Sequence, residues 1–218
     1  SLIPVGSSSA SWGDYDNDGD LDLLLAGLTS SNSRVTKIYR NNGDNSFTEQ
    51  TRSILTGVSS CSVSWGDSDD DGDLDILLAG VADEGYVTQI FINQGENLFV
   101  KSEASVLPGL SNGSAVWGDY NNDGLNDIML TGSGLNSTKL SKVFRNNGNN
   151  MFSEITSSNL EPLSLSSGTW CDYDNDGDLD IFLAGENSMS KYVFKVYRND
   201  GSDLFTEMSG ISLPGVRY

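Results

Sequence analysis

The chain has 218 residues, with 12 basic and 31 acidic side chains, no histidine and two cysteines. The formal net charge of −19 leaves no basic stripe for a nucleic-acid backbone. No apolar run reaches the roughly 18 residues that a membrane span requires. The absence of histidine excludes Ser-His-Asp and Cys-His nucleophiles and histidine-ligated zinc. We therefore expect no nucleic-acid partner, no membrane span and no histidine-dependent catalysis.

Most of the acidic residues fall in four nine-residue segments that recur in register. Nineteen of the 31 acidic side chains lie in these segments, and each segment begins two residues after a tryptophan. The segments span residues 14–22, 67–75, 119–127 and 172–180. The tryptophans are separated by 53, 52 and 53 residues, and they are Trp12, Trp65, Trp117 and Trp170. Self-similarity at a fixed period of about 50 residues is typical of repeat architectures.

A second marker has the same phase and consists of an aromatic residue, a polar turn with glycine, and a phenylalanine. It covers residues 39–47, 91–99, 144–152 and 197–205. In the first repeat, hydrophobic alternation and turn residues predict strands at 8–12, 21–26, 35–40 and 46–51. The acidic segment joins the first two strands and an Asn-Gly turn joins the last two. No segment has a convincing helical period.

Four antiparallel strands in about 50 residues, repeated four times, predict an all-β chain, namely a β-propeller built from four-stranded antiparallel blades. We expect a single propeller-type domain over residues 1–218, with repeats at approximately 6–57, 58–110, 111–163 and 164–218. The count leaves three arrangements open: a closed four-bladed propeller, a segment of a larger one, or half a propeller completed by a second copy. Strand alternation places the acidic loops on one face and the more variable second-to-third-strand loops on the other.

The acidic segments indicate a metal ion. Aspartates at alternate positions, a glycine at the sixth and an aspartate at the ninth form an oxygen cage of the kind that Ca²⁺ prefers. A single such loop could be a metal-free Asp-Gly turn, but four loops in register favour the metal. An EF-hand needs glutamate at the twelfth position and flanking helices, whereas Leu25, Leu78, Leu130 and Leu183 stand there. Mg²⁺ prefers fewer protein ligands, so we expect about four Ca²⁺ ions, one per repeat.

The chain resembles the FG-GAP/VCBS repeat family, which includes the repeats of integrin α-subunit propellers and of many bacterial surface proteins. Essentially the whole chain shares the pattern: Trp-Gly-Asp-Tyr-Asp-Asn-Asp-Gly-Asp-Leu-Asp, Leu-Leu-Ala-Gly, then Tyr-Arg-Asn-Asn-Gly and a phenylalanine. In that family the loop binds one Ca²⁺ through side chains and one backbone carbonyl. The ligands that the resemblance implies are Asp14, Asp16, Asp18, Asp20 and Asp22; Asp67, Asp69, Asp71, Asp73 and Asp75; Asp119, Asn121, Asp123, Leu125 and Asp127; and Asp172, Asp174, Asp176, Asp178 and Asp180. Asp20, Asp73, Leu125 and Asp178 would act through the carbonyl.

The third loop departs from the pattern because Asn121 and Leu125 stand where the other loops have aspartate. Asparagine still offers an oxygen ligand, but the site has one fewer anionic group. We predict that this site is the weakest of the four.

The resemblance implies a Ca²⁺-binding module that is extracellular, secreted or on the cell surface and binds a protein or a glycan, as integrin-like adhesion repeats do. The ligand would contact the face opposite the acidic loops. The alternatives are a structural or assembly segment, including self-association into a larger propeller, and the scaffold of a polysaccharide-acting enzyme such as a lyase. No isolated Lys/Tyr/Arg constellation stands outside the repeat pattern, so we predict that the chain is not an enzyme.

Overall fold

A computed structural model describes residues 2–103 and 106–211. Within these ranges sixteen strands form four antiparallel sheets of four strands each. Two short 3₁₀ turns, Leu135–Ser137 and Thr156–Ser158, interrupt the loops. No helix in the described ranges is long and apolar enough to cross a membrane. The predicted all-β fold with four-stranded antiparallel blades is confirmed.

Each sheet is one blade. Blade 1 comprises β1 (Val5–Gly13), β2 (Asp22–Thr29), β3 (Arg34–Asn41) and β4 (Phe47–Gln50). Blade 2 comprises β5 (Ser59–Gly66), β6 (Asp75–Ala82), β7 (Gly85–Asn93) and β8 (Phe99–Lys101). Blade 3 comprises β9 (Ser111–Gly118), β10 (Asp127–Ser133), β11 (Lys139–Asn146) and β12 (Phe152–Glu154). Blade 4 comprises β13 (Ser164–Cys171), β14 (Asp180–Glu186), β15 (Tyr192–Asn199) and β16 (Phe205–Glu207).

The second strand of each blade is apolar on both faces because it lies between two packed sheets. Leu24, Leu77 and Met129 occupy the same position in β2, β6 and β10, and all three are fully buried. Each contributes to a separate hydrophobic cluster between consecutive blades. The hydrophobic core is therefore divided into three inter-blade junctions rather than gathered in one centre.

The first strand of each blade lies innermost, and these strands pack in chain order. β1 contacts β5, β5 contacts β9, and β9 contacts β13. Within the described ranges no comparable packing joins β13 to β1. The four blades thus form an open array, which is the arrangement expected for part of a propeller and not for a closed four-bladed ring.

The repeated tryptophans lie at the junctions, with one exception. The Trp65 ring stacks on Tyr15 of the preceding blade at 5.6 Å, and Trp170 stacks on Tyr120 at 5.9 Å. Trp117 packs against Gly66 of the preceding blade. Trp12 packs against no preceding blade within the described residues and is 56% exposed. Trp12 therefore lies outside the inter-blade core that the other three tryptophans help to form.

Every innermost strand also carries a β-bulge that the sequence pattern did not reveal. The pairing register shifts at the same place in all four blades. The residues with positive φ at the bulges are Ser7, Ser60, Asn112 and Leu165. The bulges lie at the strand ends remote from the acidic loops and line a polar axial cavity of about 260 Å³.

Candidate metal sites

Each acidic loop is wound around its first aspartate. In the first loop, Asp14 Oδ1 accepts a hydrogen bond from the Asp18 backbone N–H at 3.0 Å, and Oδ2 accepts one from Gly19 at 2.9 Å. Asn17 and Gly19 have φ values of 57° and 94°, a conformation that asparagine and glycine tolerate. The Asn-Asp-Gly sequence therefore produces a tight turn that directs several carboxylates inward.

The same hydrogen bonds recur in the other three loops. Gly72, Gly124 and Gly177 donate to the first aspartate of their loops at 2.9, 2.9 and 3.1 Å. The fifth residue of each loop accepts a hydrogen bond from the seventh at 2.9 to 3.0 Å. All four loops, including the divergent third loop, thus have one backbone shape.

The ninth aspartate closes each loop and ties it to the turn before the fourth strand. Asp22 is fully buried, and its Oδ1 accepts from the Asn41 backbone N–H at 2.7 Å while Oδ2 accepts from Tyr15 at 3.3 Å. Asp75, Asp127 and Asp180 make the equivalent pair of bonds in their blades. This aspartate joins the loop to the third strand of its own blade, whatever else it binds.

Carboxylate oxygens converge in three of the loops. Oxygens lying within 4.8 Å of one another come from Asp14, Asp16 and Asp18; from Asp67, Asp69 and Asp71; and from Asp172, Asp174 and Asp180. Within the described residues, no such group of three acidic side chains occurs in the third loop. Like charges at this separation repel, and a bound cation would remove the repulsion.

The first two loops also contain a buried acceptor without a donor. Asp16 Oδ1 and Asp69 Oδ1 are inaccessible to solvent and have no hydrogen-bond partner among the described residues. A buried, unpaired carboxylate oxygen is costly unless a cation contacts it. The donor set, which consists only of hard oxygens at alternate loop positions, fits Ca²⁺.

In the third loop, the Asn121 amide makes its hydrogen bonds within the loop. Asn121 Nδ2 donates to Asp123 Oδ2 at 2.9 Å, and Asn121 Oδ1 accepts from the Asp123 backbone N–H at 3.1 Å. The amide therefore occupies a carboxylate oxygen that a cation would otherwise contact. This competition adds to the missing charge as a reason why the third site should be the weakest.

Burial raises the pKa of several loop carboxyls. Desolvation raises the pKa of Asp22 and Asp75 to about 6 and that of Asp127 to about 7, and hydrogen bonds from backbone N–H groups oppose the rise. The pKa values of Asp16 and Asp69 are also raised, by burial first and then by the neighbouring Asp18 and Asp71. A divalent cation would counter both causes by stabilising the ionised form.

The residues predicted to act through their carbonyls behave differently from the other ligands. The Asp73 side chain accepts from Asn17 of the preceding loop at 2.8 Å, and that of Asp178 accepts from Asn122 at 2.7 Å. The carboxylates of Asp73 and Asp178 are thus engaged across a junction. Within the described residues, no asparagine of another loop donates to Asp20 in this way.

Sequence reasoning missed one functional role of the Asn-Gly turn. The first asparagine of the turn was assigned to turn formation, but its side chain also bridges two blades. Asn93, Asn146 and Asn199 donate to the backbone carbonyls of Tyr15, Ser68 and Tyr120 in the preceding blade at 3.1, 2.8 and 2.7 Å. The fixed spacing of 18 or 19 residues from the ninth aspartate was the available signal.

Comparison with protein families agrees with this geometry. The FG-GAP-like repeat family matches three overlapping stretches, residues 14–78, 69–130 and 119–183. Each match runs from one acidic loop through the buried strand of the next blade. No curated protein matches the chain. Because the matched stretches cover most of the chain and the fold is that of propeller blades, the chain belongs to the FG-GAP-like repeat family.

Proposed function

We propose that the chain is a calcium-stabilised propeller module that acts outside the cell or on its surface and binds a protein or a glycan. The observation that carries the calcium assignment is the pair of buried, unpartnered oxygens of Asp16 and Asp69 inside carboxylate loops. Members of this repeat family generally serve as binding or structural modules. Weak Ca²⁺ sites also suit a compartment in which Ca²⁺ is millimolar.

In this proposal Ca²⁺ is structural. Each loop would hold the ion through its first, third, fifth and ninth side chains and the carbonyl of the seventh residue. The ion would relieve the repulsion among the carboxylates and thereby favour the folded chain by linkage. The ligand surface would be the opposite face, where the loops between the second and third strands differ among the blades.

Calorimetric titration of chelator-treated protein with Ca²⁺ tests the metal assignment. We expect about four sites, with the third the weakest, and a higher melting temperature in millimolar Ca²⁺. Asn121→Asp should tighten the weakest site, whereas Asp69→Asn should weaken one of the others. Unchanged melting in excess chelator, or a third site that fills first, would contradict the assignment.

A glycan array and a pull-down with extracellular matrix proteins, each with Ca²⁺ and with chelator, test the binding role. We expect a ligand that is lost in chelator and is unaffected by substitutions of those residues on the acidic face that hold no Ca²⁺ in this proposal. Turnover of a uronic-acid polysaccharide would instead support the enzyme alternative.

A second candidate function is that of an assembly segment of a larger propeller. The exposed leading face of blade 1 favours it, since Trp12 and Leu21 there are 56% and 55% exposed. Their counterparts Trp65 and Leu74 pack against Gly13 of the preceding blade. The neighbour in such an assembly would be another blade of this kind.

A second copy of this chain is a poor neighbour for that face. Gly13 and Gly118 lie so close to the next tryptophan that a Cβ atom there would be 2.6 Å from its Cδ1. Cys171 stands at the equivalent position of blade 4, so its Cβ would collide with Trp12 of a second copy in this arrangement. We expect a monomer by light scattering, and a stable dimer that buries Trp12 would contradict this argument.

A further inference from the structure

The junction between blades 3 and 4 holds a carboxylate between a tyrosine and an arginine. Tyr120 is only 1% exposed, and its hydroxyl donates to Asp203 Oδ1 of blade 4 at 2.6 Å. Arg145 Nη2 forms an ion pair with the same oxygen. A buried phenol, a guanidinium and a carboxylate therefore satisfy one another across this junction.

The junction between blades 1 and 2 has the same tyrosine and arginine but no carboxylate. Tyr15 is 1% exposed and stacks on Trp65, as Tyr120 stacks on Trp170. Asn97 takes the position of Asp203, and both residues have the left-handed conformation, with φ values of 63° and 66°. Hence the backbone arrangement is retained while the anionic group is missing.

Two polar side chains near this position lack full hydrogen bonding. The Tyr15 hydroxyl is buried and makes no hydrogen bond to any described residue. The Arg40 guanidinium forms only a 3.3 Å bond to Asn42, and no ion pair joins Arg40 to a carboxylate in the described part of the chain. Burial raises the pKa of Tyr15 and of Asp16, and the positive charge of Arg40 opposes that rise, so the guanidinium acts on both side chains.

There is also room for a ligand. A cavity of about 270 Å³ opens between Tyr15 and the Asn-Gly turn of blade 2, and Asn93, Gly95 and Asn97 line its far side. The corresponding cavity beside Tyr120 measures about 80 Å³. At the junction between blades 2 and 3, Ser68 replaces the tyrosine, and its hydroxyl donates a hydrogen bond to Asn150 Oδ1 at 2.9 Å. The open arrangement thus belongs to the first junction.

We propose that the cavity between blades 1 and 2 binds a carboxylate group of a ligand in the position that Asp203 occupies between blades 3 and 4. The Tyr15 hydroxyl is inaccessible to solvent in this structure, so the Asn97 side chain would turn away and let the hydroxyl donate to the carboxylate. The Arg40 guanidinium does not line the cavity, and it would offset the carboxylate's charge without contacting it. An acidic sugar and an acidic peptide side chain share this chemistry.

Three acidic side chains line the cavity, and their charges must be offset for a carboxylate to enter. Asp73 accepts from Asn17 at 2.8 Å, and Glu96 pairs with Arg52 at 3.2 Å. Asp16 belongs to the first acidic loop, so Ca²⁺ in that loop would offset its charge. Carboxylate binding should therefore require Ca²⁺, and this dependence rests on the proposed function.

Titration of ¹⁵N-labelled protein with sodium acetate in saturating Ca²⁺, against sodium chloride at equal ionic strength, tests the proposal. We expect acetate to shift the amide resonance of Asn97 and the Nε–H resonance of Arg40 while those of Asp203 and Arg145 stay in place. Tyr15→Phe keeps the stacked ring and should weaken acetate binding at least tenfold. Absence of shifts near Tyr15, or equal binding by Tyr15→Phe, would overturn the proposal.

Two variants exchange the residues that differ between the two junctions. Asn97→Asp supplies the carboxylate within the chain and should abolish the acetate response. Asp203→Asn removes it from the other junction and should create a new response at Arg145. If both variants respond to acetate as the wild type does, the equivalence of the two junctions is wrong.

Two further measurements distinguish an acidic sugar from an acidic peptide, and this inference from the proposed function. Stronger binding of glucuronate than of N-acetyl-aspartyl amide would identify an acidic sugar, and the reverse an acidic peptide. Ca²⁺ affinity is measured separately by calorimetry. Ca²⁺ binding without any carboxylate response overturns this inference alone, whereas absence of Ca²⁺ binding overturns the proposed function. Equal acetate binding in chelator would overturn the coupling to Ca²⁺.

Discussion

Trp12 and Trp65 hold the same position of the same repeat, yet their surroundings differ completely. Trp65 stacks on Tyr15 and also packs against Phe99 of its own blade. Trp12 contacts only its own blade's Phe47 among the ring contacts of the described residues, and it is 56% exposed. The difference shows that a repeat position acquires its role from the neighbouring blade. Internal junctions and the open leading face should therefore respond differently to identical substitutions.

The largest expected difference is between Trp65→Ala and Trp12→Ala. Removal of Trp65 leaves a cavity in a junction core and should lower the free energy of unfolding by about 3–5 kcal/mol. Trp12→Ala should cost about 1 kcal/mol, because only an aromatic contact within one blade is lost. Urea denaturation in saturating Ca²⁺ measures both. Equal losses would mean that Trp12 is buried in solution, against an additional blade or a second copy.

The acidic loops offer a property that does not depend on a neighbouring blade, because the ninth aspartate of each loop makes its hydrogen bonds within its own blade. The folded-state pKa of Asp22, Asp75 and Asp127 is raised to about 6, 6 and 7. The folded chain therefore binds protons more tightly than the unfolded chain, and its stability falls as pH rises from about 4 to about 7. In chelator we expect the melting temperature to decrease by several degrees between pH 5 and pH 8.

Saturating Ca²⁺ should remove or reverse that decrease, since the ion binds the ionised carboxylates. Differential scanning calorimetry at the two pH values, with Ca²⁺ and with chelator, measures the effect. A decrease of the same size in Ca²⁺ would assign the pH dependence to groups outside the loops.

Tyr120→Phe and Tyr15→Phe compare two internal junctions. The first removes a hydrogen bond to a charged carboxylate and should cost about 1–3 kcal/mol. The second removes a buried hydroxyl that has no partner, so stability without ligand should stay the same or rise by up to about 1 kcal/mol. Thermal unfolding in chloride buffer distinguishes the outcomes. Equal destabilisation would show that the Tyr15 hydroxyl already has a partner.

The smallest effect concerns the fourth loop position. Asn17 donates to Asp73 across a junction, while Asn175 of blade 4 makes no such bond within the described residues. Both residues have positive φ, which glycine tolerates. Asn17→Gly should lower stability by about 0.5–1 kcal/mol more than Asn175→Gly. Identical losses in chemical denaturation would mean that the cross-junction bond contributes nothing.

Much of the fold was predictable because its determinants are local. The strands expected at residues 8–12, 21–26, 35–40 and 46–51 correspond to β1 to β4, with ends that differ by up to three residues. The ladder hydrogen bonds extend β1, the end of β2 and β3 past the hydrophobic pattern, whereas β4 is one residue shorter at each end. The bulges at Ser7 and its three counterparts escaped prediction, since they occur in polar, serine-rich strand starts without a glycine at the residue of positive φ. The candidate loops were located from spacing alone, whereas the internal pairing of Asn121 with Asp123 required side-chain geometry.

The sequence by itself determined the four-fold repeat, the four-stranded blade and the placement of carboxylates in each loop, because these depend on patterns contained within each repeat of about 50 residues. The tertiary structure decided which equivalent residues share a function. Trp12 and Trp65, or Tyr15 and Tyr120, are alike in local sequence, but their partners come from another blade about 50 residues away. Whether a ring is stacked or a hydroxyl satisfied depends on that neighbour, and no local pattern records it.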